Sequence, residues 1–133
     1  MTALDEDPTH PDYWVALGAM DAAMKDYAGC VEASQHALSL DPRDAMAALN
    51  LGLAEMELNR PAEAARALAI AVEADPEDYE TRFQFAVALG MSGRADEANA
   101  EFSKVAAGPP DKVSRLLRAS AAANLNGPSR TDR

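Results

Sequence analysis

A single cysteine, Cys30, rules out an internal disulfide, so packing alone must hold the fold. Aromatic residues are scarce (one Trp, three Tyr, three Phe), while Ala, Leu, Val and Met are plentiful. That composition argues against sheets, which favour β-branched and aromatic side chains, and for helices that approach one another closely. Basic residues are also few, 12 against 22 acids, for a net charge of −10. Clustered Lys and Arg are what phosphate contacts require, so nucleic acid and anionic membrane are disfavoured as partners. Charges interrupt every apolar stretch before it reaches the roughly 18 to 20 residues of a membrane helix. The acidic leader, Met1 to Pro11, has no Lys or Arg and no apolar run resembling a secretory signal, and a cytoplasmic location is expected.

The chemistry of enzymes is equally hard to find. The two histidines, His10 and His36, stand far apart, with no second His or Cys at metal-ligand spacing. There is no phosphate-cradling glycine loop and no nucleophile elbow, and the neighbouring acids Glu55 and Glu57 point to different sides of one helix. Neither catalysis nor a metal or cofactor is expected. The default reading of Cys30 is a small buried hydrophobe rather than a reactive thiol.

What the sequence does contain is a period. Pro42, Pro76 and Pro110 stand 34 residues apart, and four further columns align with them. These are Leu17, Leu51 and Phe85; Gly18, Gly52 and Ala86; Cys30, Ala64 and Ala98; and Ala37, Ala71 and Val105. Within each unit, apolar and small residues recur at three and four, the helical spacing, and breakers fall at the unit boundaries. Six helices are predicted near 11–24, 28–40, 44–57, 62–74, 78–91 and 95–107. Asp41-Pro42 and Asp75-Pro76 end helices because the residue before proline is pushed out of helical geometry. Gly93 and Gly108-Pro109-Pro110 mark turns.

The unit resembles the tetratricopeptide repeat, on Trp14, Leu17, Gly18 and Pro42 in the first copy, Leu51, Gly52, Ala64, Leu68 and Pro76 in the second, and Phe85, Ala86, Ala98, Phe102 and Pro110 in the third. The implied fold is all-α, a right-handed α-solenoid of three helical hairpins (11–44, 45–78, 79–112) with a C-terminal capping helix at 111–125. The single domain then spans 11–125, between a disordered leader (1–10) and a disordered tail (126–133). Val113, Leu116, Leu117, Ala121 and Leu125 form the apolar stripe of the cap, with Lys112, Arg115 and Arg118 outside it. Where the family has an aromatic this chain has Asp21 and Glu55, Ser34 replaces a large packing residue, and Ala48 and Arg82 replace tryptophan; these departures imply looser packing.

The resemblance also implies a function. First helices of successive repeats line a concave groove, and the residues carried onto it here are Val15, Ala19, Met46, Leu49, Asn50, Leu53, Met56, Phe83, Val87 and Met91. Most are apolar, three are methionine, and the rim is acidic, which suits an apolar or amphipathic partner segment with basic flanks. The expected role is a non-enzymatic protein-interaction scaffold or chaperone. Phe83→Glu is expected to abolish partner binding with helicity intact. Residues 1–111 hold 21 acids and 7 bases, whereas 112–133 hold 5 bases and 1 acid. The acidic body reads first as a means of solubility and second as a field that steers a basic partner.

A family subset clamps the C-terminal carboxylate of heat-shock chaperones. The corresponding places here are Val15, Ala19, Asn50, Glu80 and Gln84, of which Asn50 alone fits, and Glu80 would repel a carboxylate. His10-Pro-Asp-Tyr-Trp14, Leu17-Gly18 and Leu40-Asp41-Pro42 are similar to the central segment of class II type III secretion chaperones, which would make a translocator protein the partner. Two further readings are an assembly module working through its end faces, and a weak homodimer through the uncapped first repeat.

Overall fold

The computed structural model describes residues 8–125. Among these described residues seven helices follow one another: α1 (Pro11–Ala23), α2 (Tyr27–Leu40), α3 (Ala45–Glu57), α4 (Pro61–Ala74), α5 (Tyr79–Met91), α6 (Ala95–Ala106) and α7 (Arg115–Leu125). There is no strand among the described residues. Each helix packs on the next along the chain, so three hairpins (α1/α2, α3/α4, α5/α6) stack into a solenoid closed by α7. No helix in the described residues is long and apolar enough to cross a membrane.

The 34-residue period governs the helix ends as well as the core. His10, Asp44 and Asp78 are the N-caps of α1, α3 and α5, and each side chain accepts a backbone N–H of the first turn: from Asp12 (3.2 Å), Ala47 (3.1 Å) and Thr81 (3.2 Å). The tight turn inside each hairpin places one residue in the left-handed region, Lys25 (φ 64°), Asn59 (φ 61°) and Gly93 (φ 87°). Only the third has the residue that adopts this conformation without a Cβ penalty.

The first six helices lie within about a residue of their expected bounds, the usual uncertainty of helix ends. The seventh does not: it begins at Arg115 rather than Asp111. Pro109 and Pro110 deny the segment two N–H donors, and Lys112 and Val113 instead donate to the Pro109 carbonyl, forming a turn. Ser114 then caps the helix, its hydroxyl accepting from Leu117 N at 3.1 Å. Two of the side-chain orientations expected for this helix also change. Leu116 is 78% exposed, because it lies one residue from the inward Leu117 and neighbours on a helix cannot share a face. Arg118, expected outside, turns inward and donates to the carbonyls of Ala106 (2.6 Å) and Val113 (3.5 Å), satisfying the end of α6.

Of the expected disordered leader, residues 8–10 form a turn joined to α1, in which the Pro8 carbonyl accepts from the Trp14 indole at 2.6 Å. Residues 1–7 and the tail at 126–133 lie outside the described residues.

The small columns are where the hairpins close. Gly18, Gly52 and Ala86 are buried against the Cys30, Ala64 and Ala98 column. A Cβ on Gly52 would lie 2.6 Å from Leu68 Cγ, so this position has no room for a side chain. Cys30 is fully buried and free, its thiol donating to the Asn50 carbonyl at 3.6 Å, and burial pushes it above its ordinary pKa. In place of the family's tryptophan, Arg82 stitches α5 to α6 through Glu101 (2.7 Å) and also binds the Pro76 carbonyl (3.0 Å).

Packing improves along the chain. One interior column reads Ser34, Leu68, Phe102, and another reads Asp21, Glu55, Leu89. Accordingly the larger apolar core runs from α4 to α7 around Leu68, Leu89, Phe102 and Val105, and a smaller one gathers Cys30, Val31, Leu51, Ala54 and Ala67.

Candidate functional site

α1 packs against α3, whereas α3 and α5 approach each other far less closely. The gap on the opposite side is a groove with two adjoining hollows. One, of about 340 Å³, is lined by Leu49 and Leu53 of α3, by Asp78, Glu80, Thr81, Phe83 and Gln84 at the start of α5, and by Leu117 of α7. The other, of about 470 Å³, is lined by Ala22 and Tyr27, by Asn50, Leu53, Ala54, Met56 and Glu57 of α3, and by Gln84. Leu53 and Gln84 belong to both, so the hollows form one continuous trough.

Helix α3 supplies most of this wall because Leu49, Leu53 and Met56 fall on one helical face at three- and four-residue spacing, with Asn50 at its edge. Leu53 is 38% exposed, while Leu49, Met56 and Phe83 are half-buried and back onto the core. Phe83 rests edge-on against Phe102 (5.4 Å between ring centres), which fixes its orientation. The polar groups are divided in function. Asp78 is engaged in its cap, one carboxylate oxygen accepting from Thr81 N and the other from the Thr81 hydroxyl at 2.8 Å. Glu80 and Glu57 are exposed on the rim. The Asn50 amide nitrogen is buried with no hydrogen-bond partner, a donor left over beside the trough.

Five of the residues expected to line a groove therefore meet: Leu49, Leu53 and Phe83 in one hollow, and Asn50, Leu53 and Met56 in the other, with Leu53 belonging to both. Val87 and Met91 line a separate hollow of about 290 Å³ among α5, α6 and Asn124 of α7. Val15, Ala19 and Met46 line none of these: Val15 is half-buried, and Ala19 and Met46 are exposed. Leu117, Thr81, Tyr27 and Gln84 complete the trough without having been expected there. For two of them the period carries the signal, since Leu117 continues the column of Leu49 and Phe83, and Gln84 continues that of Asn50.

The trough presents anchors for apolar side chains and an acidic rim, with the unpaired Asn50 amide nitrogen sealed beside it. Among the described residues no group of three or more His, Cys, Asp or Glu is arranged to hold a metal ion.

The fold has relatives among solved structures. PcrH of Pseudomonas aeruginosa, in complex with the chaperone binding region of PopD, superposes with a TM-score of 0.74 at 24% identity, over 86% of this chain and 87% of PcrH. SycD of Yersinia enterocolitica, in complex with a peptide of the translocator YopD, gives 0.73 at 18% identity over 86% and 88%. The TPR domain of Arabidopsis OM64 gives 0.76 at 18% identity over 90% and 98%. MamA matches at 0.69, and the chain spans 59% of its length. A search of curated proteins by sequence returned no match. A tetratricopeptide repeat model matches residues 12–79 and again 49–113, most of the chain. Composition, the 34-residue period, the stacked hairpins and this match agree: the chain belongs to the tetratricopeptide repeat family.

Proposed function

We propose that this protein is a non-enzymatic scaffold or chaperone that holds an apolar or amphipathic segment of a partner protein in the trough between α3 and α5. The observation that carries this reading is the continuity of the two hollows through Leu53 and Gln84, which offers a row of apolar anchor sites rather than one closed pocket. Exposed Glu80 and Glu57 favour basic flanks and disfavour a terminal carboxylate. Burying roughly 400 Å² of apolar surface contributes on the order of 10 kcal/mol before ordering costs, compatible with micromolar affinity.

Leu53→Glu is a better test than Phe83→Glu, because Phe83 also packs on Phe102 and its loss disturbs the hairpin. A photo-crosslinking residue at position 84 is expected to capture the partner segment in the cells that make the protein, and Leu53→Glu to abolish capture. Capture at full yield by that variant would place the binding surface elsewhere.

The PcrH and SycD complexes motivate a narrower reading, a class II type III secretion chaperone for translocators. Titration with the chaperone binding regions of PopD and YopD, read by calorimetry, tests it: micromolar binding lost in Leu53→Glu supports it, and absence of heat argues for another partner class. Weak self-association through the first repeat rests on exposed Met20 (46%) and Met24 (77%) of the first hairpin. A monomer by sedimentation at high concentration would exclude it.

A further inference from the structure

Glu55 occupies a place in the second repeat where the family carries an aromatic ring and where the third repeat has the fully buried Leu89. It is only 5% exposed, and its Oε1 is sealed from solvent with no hydrogen-bond partner. A carboxylate in that state costs free energy unless something pairs with it. Beside it lies an open hollow of about 380 Å³, lined by Gln35 of α2, Leu51 and Glu55 of α3, and Glu63, Arg66, Ala67 and Ile70 of α4. None of these residues lines either hollow of the trough.

The lining combines an apolar wall with acceptor oxygens. Leu51 and Ala67 are buried and Ile70 half-buried, an apolar wall, while Glu55, Glu63 and Gln35 supply acceptor oxygens. Burial, reinforced by Glu63, raises the Glu55 carboxyl above its ordinary range; Arg60 and Arg66 oppose this, but neither forms an ion pair with it. The two arginines are exposed and act only from a distance.

We propose that this hollow receives a lysine side chain presented by a partner protein, with the methylene stem against Leu51, Ala67 and Ile70 and the ammonium on the second, unsealed oxygen of Glu55, on Glu63 and on the Gln35 carbonyl. Amphipathic stems of this kind bury their methylenes and deliver the charge at the tip. Lysine fits better than arginine, because separate acceptors suit a compact ammonium, whereas the bidentate carboxylate pairing that favours a guanidinium is denied at Glu55, one of whose oxygens is sealed. The site is independent of the trough, so the two readings stand or fall separately.

The test is an amide-resonance titration of the full chain with Nα-acetyl-lysine-N-methylamide, with the norleucine and arginine analogues as controls. Saturable shifts at the amides of Gln35, Glu55, Ala67 and Ile70 are expected, at roughly millimolar strength for so small a probe. Glu55→Gln, which keeps the shape, is expected to weaken binding at least about tenfold, while Leu53→Glu leaves it unchanged. Absence of saturable shifts, equal binding of norleucine, stronger binding of the arginine analogue, or full binding in Glu55→Gln would overturn the proposal. So would binding that appears only in Arg66→Ala, which would make Arg66 the resident cation of the hollow.

Discussion

Gly18 and Gly52 hold the same place in successive repeats, yet alanine at the two is expected to act with opposite sign. In the middle of a helix, alanine for glycine stabilises by about 1 kcal/mol through backbone entropy. At Gly52 the added Cβ would lie 2.6 Å from Leu68 Cγ and 2.7 Å from its Cδ2. Leu68 is fully buried, so either its side chain leaves its rotamer or the hairpin spreads, at about 1 to 3 kcal/mol. The net is a loss of about 1 kcal/mol, a few degrees of Tm for a chain of this size. At Gly18 the nearest atom is the Ser34 hydroxyl at 3.1 Å, a group that rotates aside, and the other neighbours stand at 3.5 Å or more. There the entropy gain prevails, at roughly 0.5 kcal/mol. Urea denaturation followed by circular dichroism resolves the two, and Gly52→Ala repeated in a Leu68→Ala background isolates the contact, since the clash then disappears. If Gly52→Ala stabilises as much as Gly18→Ala, helix approach does not limit this column and the account of the small residues is wrong.

The hairpin turns offer a second contrast: Lys25→Gly relieves a left-handed conformation and is expected to stabilise by up to about 1 kcal/mol, whereas Gly93→Ala, facing open space but at φ 87°, costs about 1 kcal/mol in thermal melts. Glu55→Gln is expected to stabilise by about 1 to 3 kcal/mol at neutral pH, because a buried carboxylate without partners is removed. Since the folded-state pKa of Glu55 is raised, its penalty is full above that value, shrinks as pH falls toward the ordinary 4.5 and vanishes below it. The advantage of Glu55→Gln must therefore disappear in acid, and a constant gap across pH would refute the cause. Arg118→Met removes the donors that bind the last carbonyl of α6, and is expected to speed hydrogen exchange in α7 with a loss of about 1 to 2 kcal/mol.

The periodic part of the molecule was readable because the same physical demand recurs every 34 residues. Pro42 and Pro76 end helices, Gly52 and Ala64 let helices approach, and the expectation transfers from one repeat to the next. At the C-terminal end that demand lapses. The last helix has a neighbour on one side only, so its apolar pattern is wider than its buried face, and the pattern could not separate Leu116 from Leu117. Arg118 was misplaced for a related reason: charge on a helix reads as solvent-facing, while a guanidinium at a neighbour's C-terminus is drawn in by unpaired carbonyls. The groove was legible where α3 and α5 diverge, at Leu49, Leu53 and Phe83. It was not legible at Val15, Ala19 and Met46, because equivalence in register does not make hollows equivalent when α1 packs closely on α3 and α5 does not. Glu55 stood out as a departure from the family, but its lack of a partner depends on where Arg60 and Arg66 point, which spacing does not encode.

The steady enlargement of interior side chains from Ser34 to Leu68 to Phe102 gives the stack a soft end and a firm end. In an array whose units touch only their neighbours, opening begins where the local interface is poorest, so the Trp14 hairpin frays first while α4 to α7 stay zipped. A guest lying across Ala22, Tyr27 and Asn50 would straddle that boundary. Occupancy would then register as a slowing of motion in the N-terminal third, making Trp14 a natural beacon for binding even though it lines neither hollow of the trough.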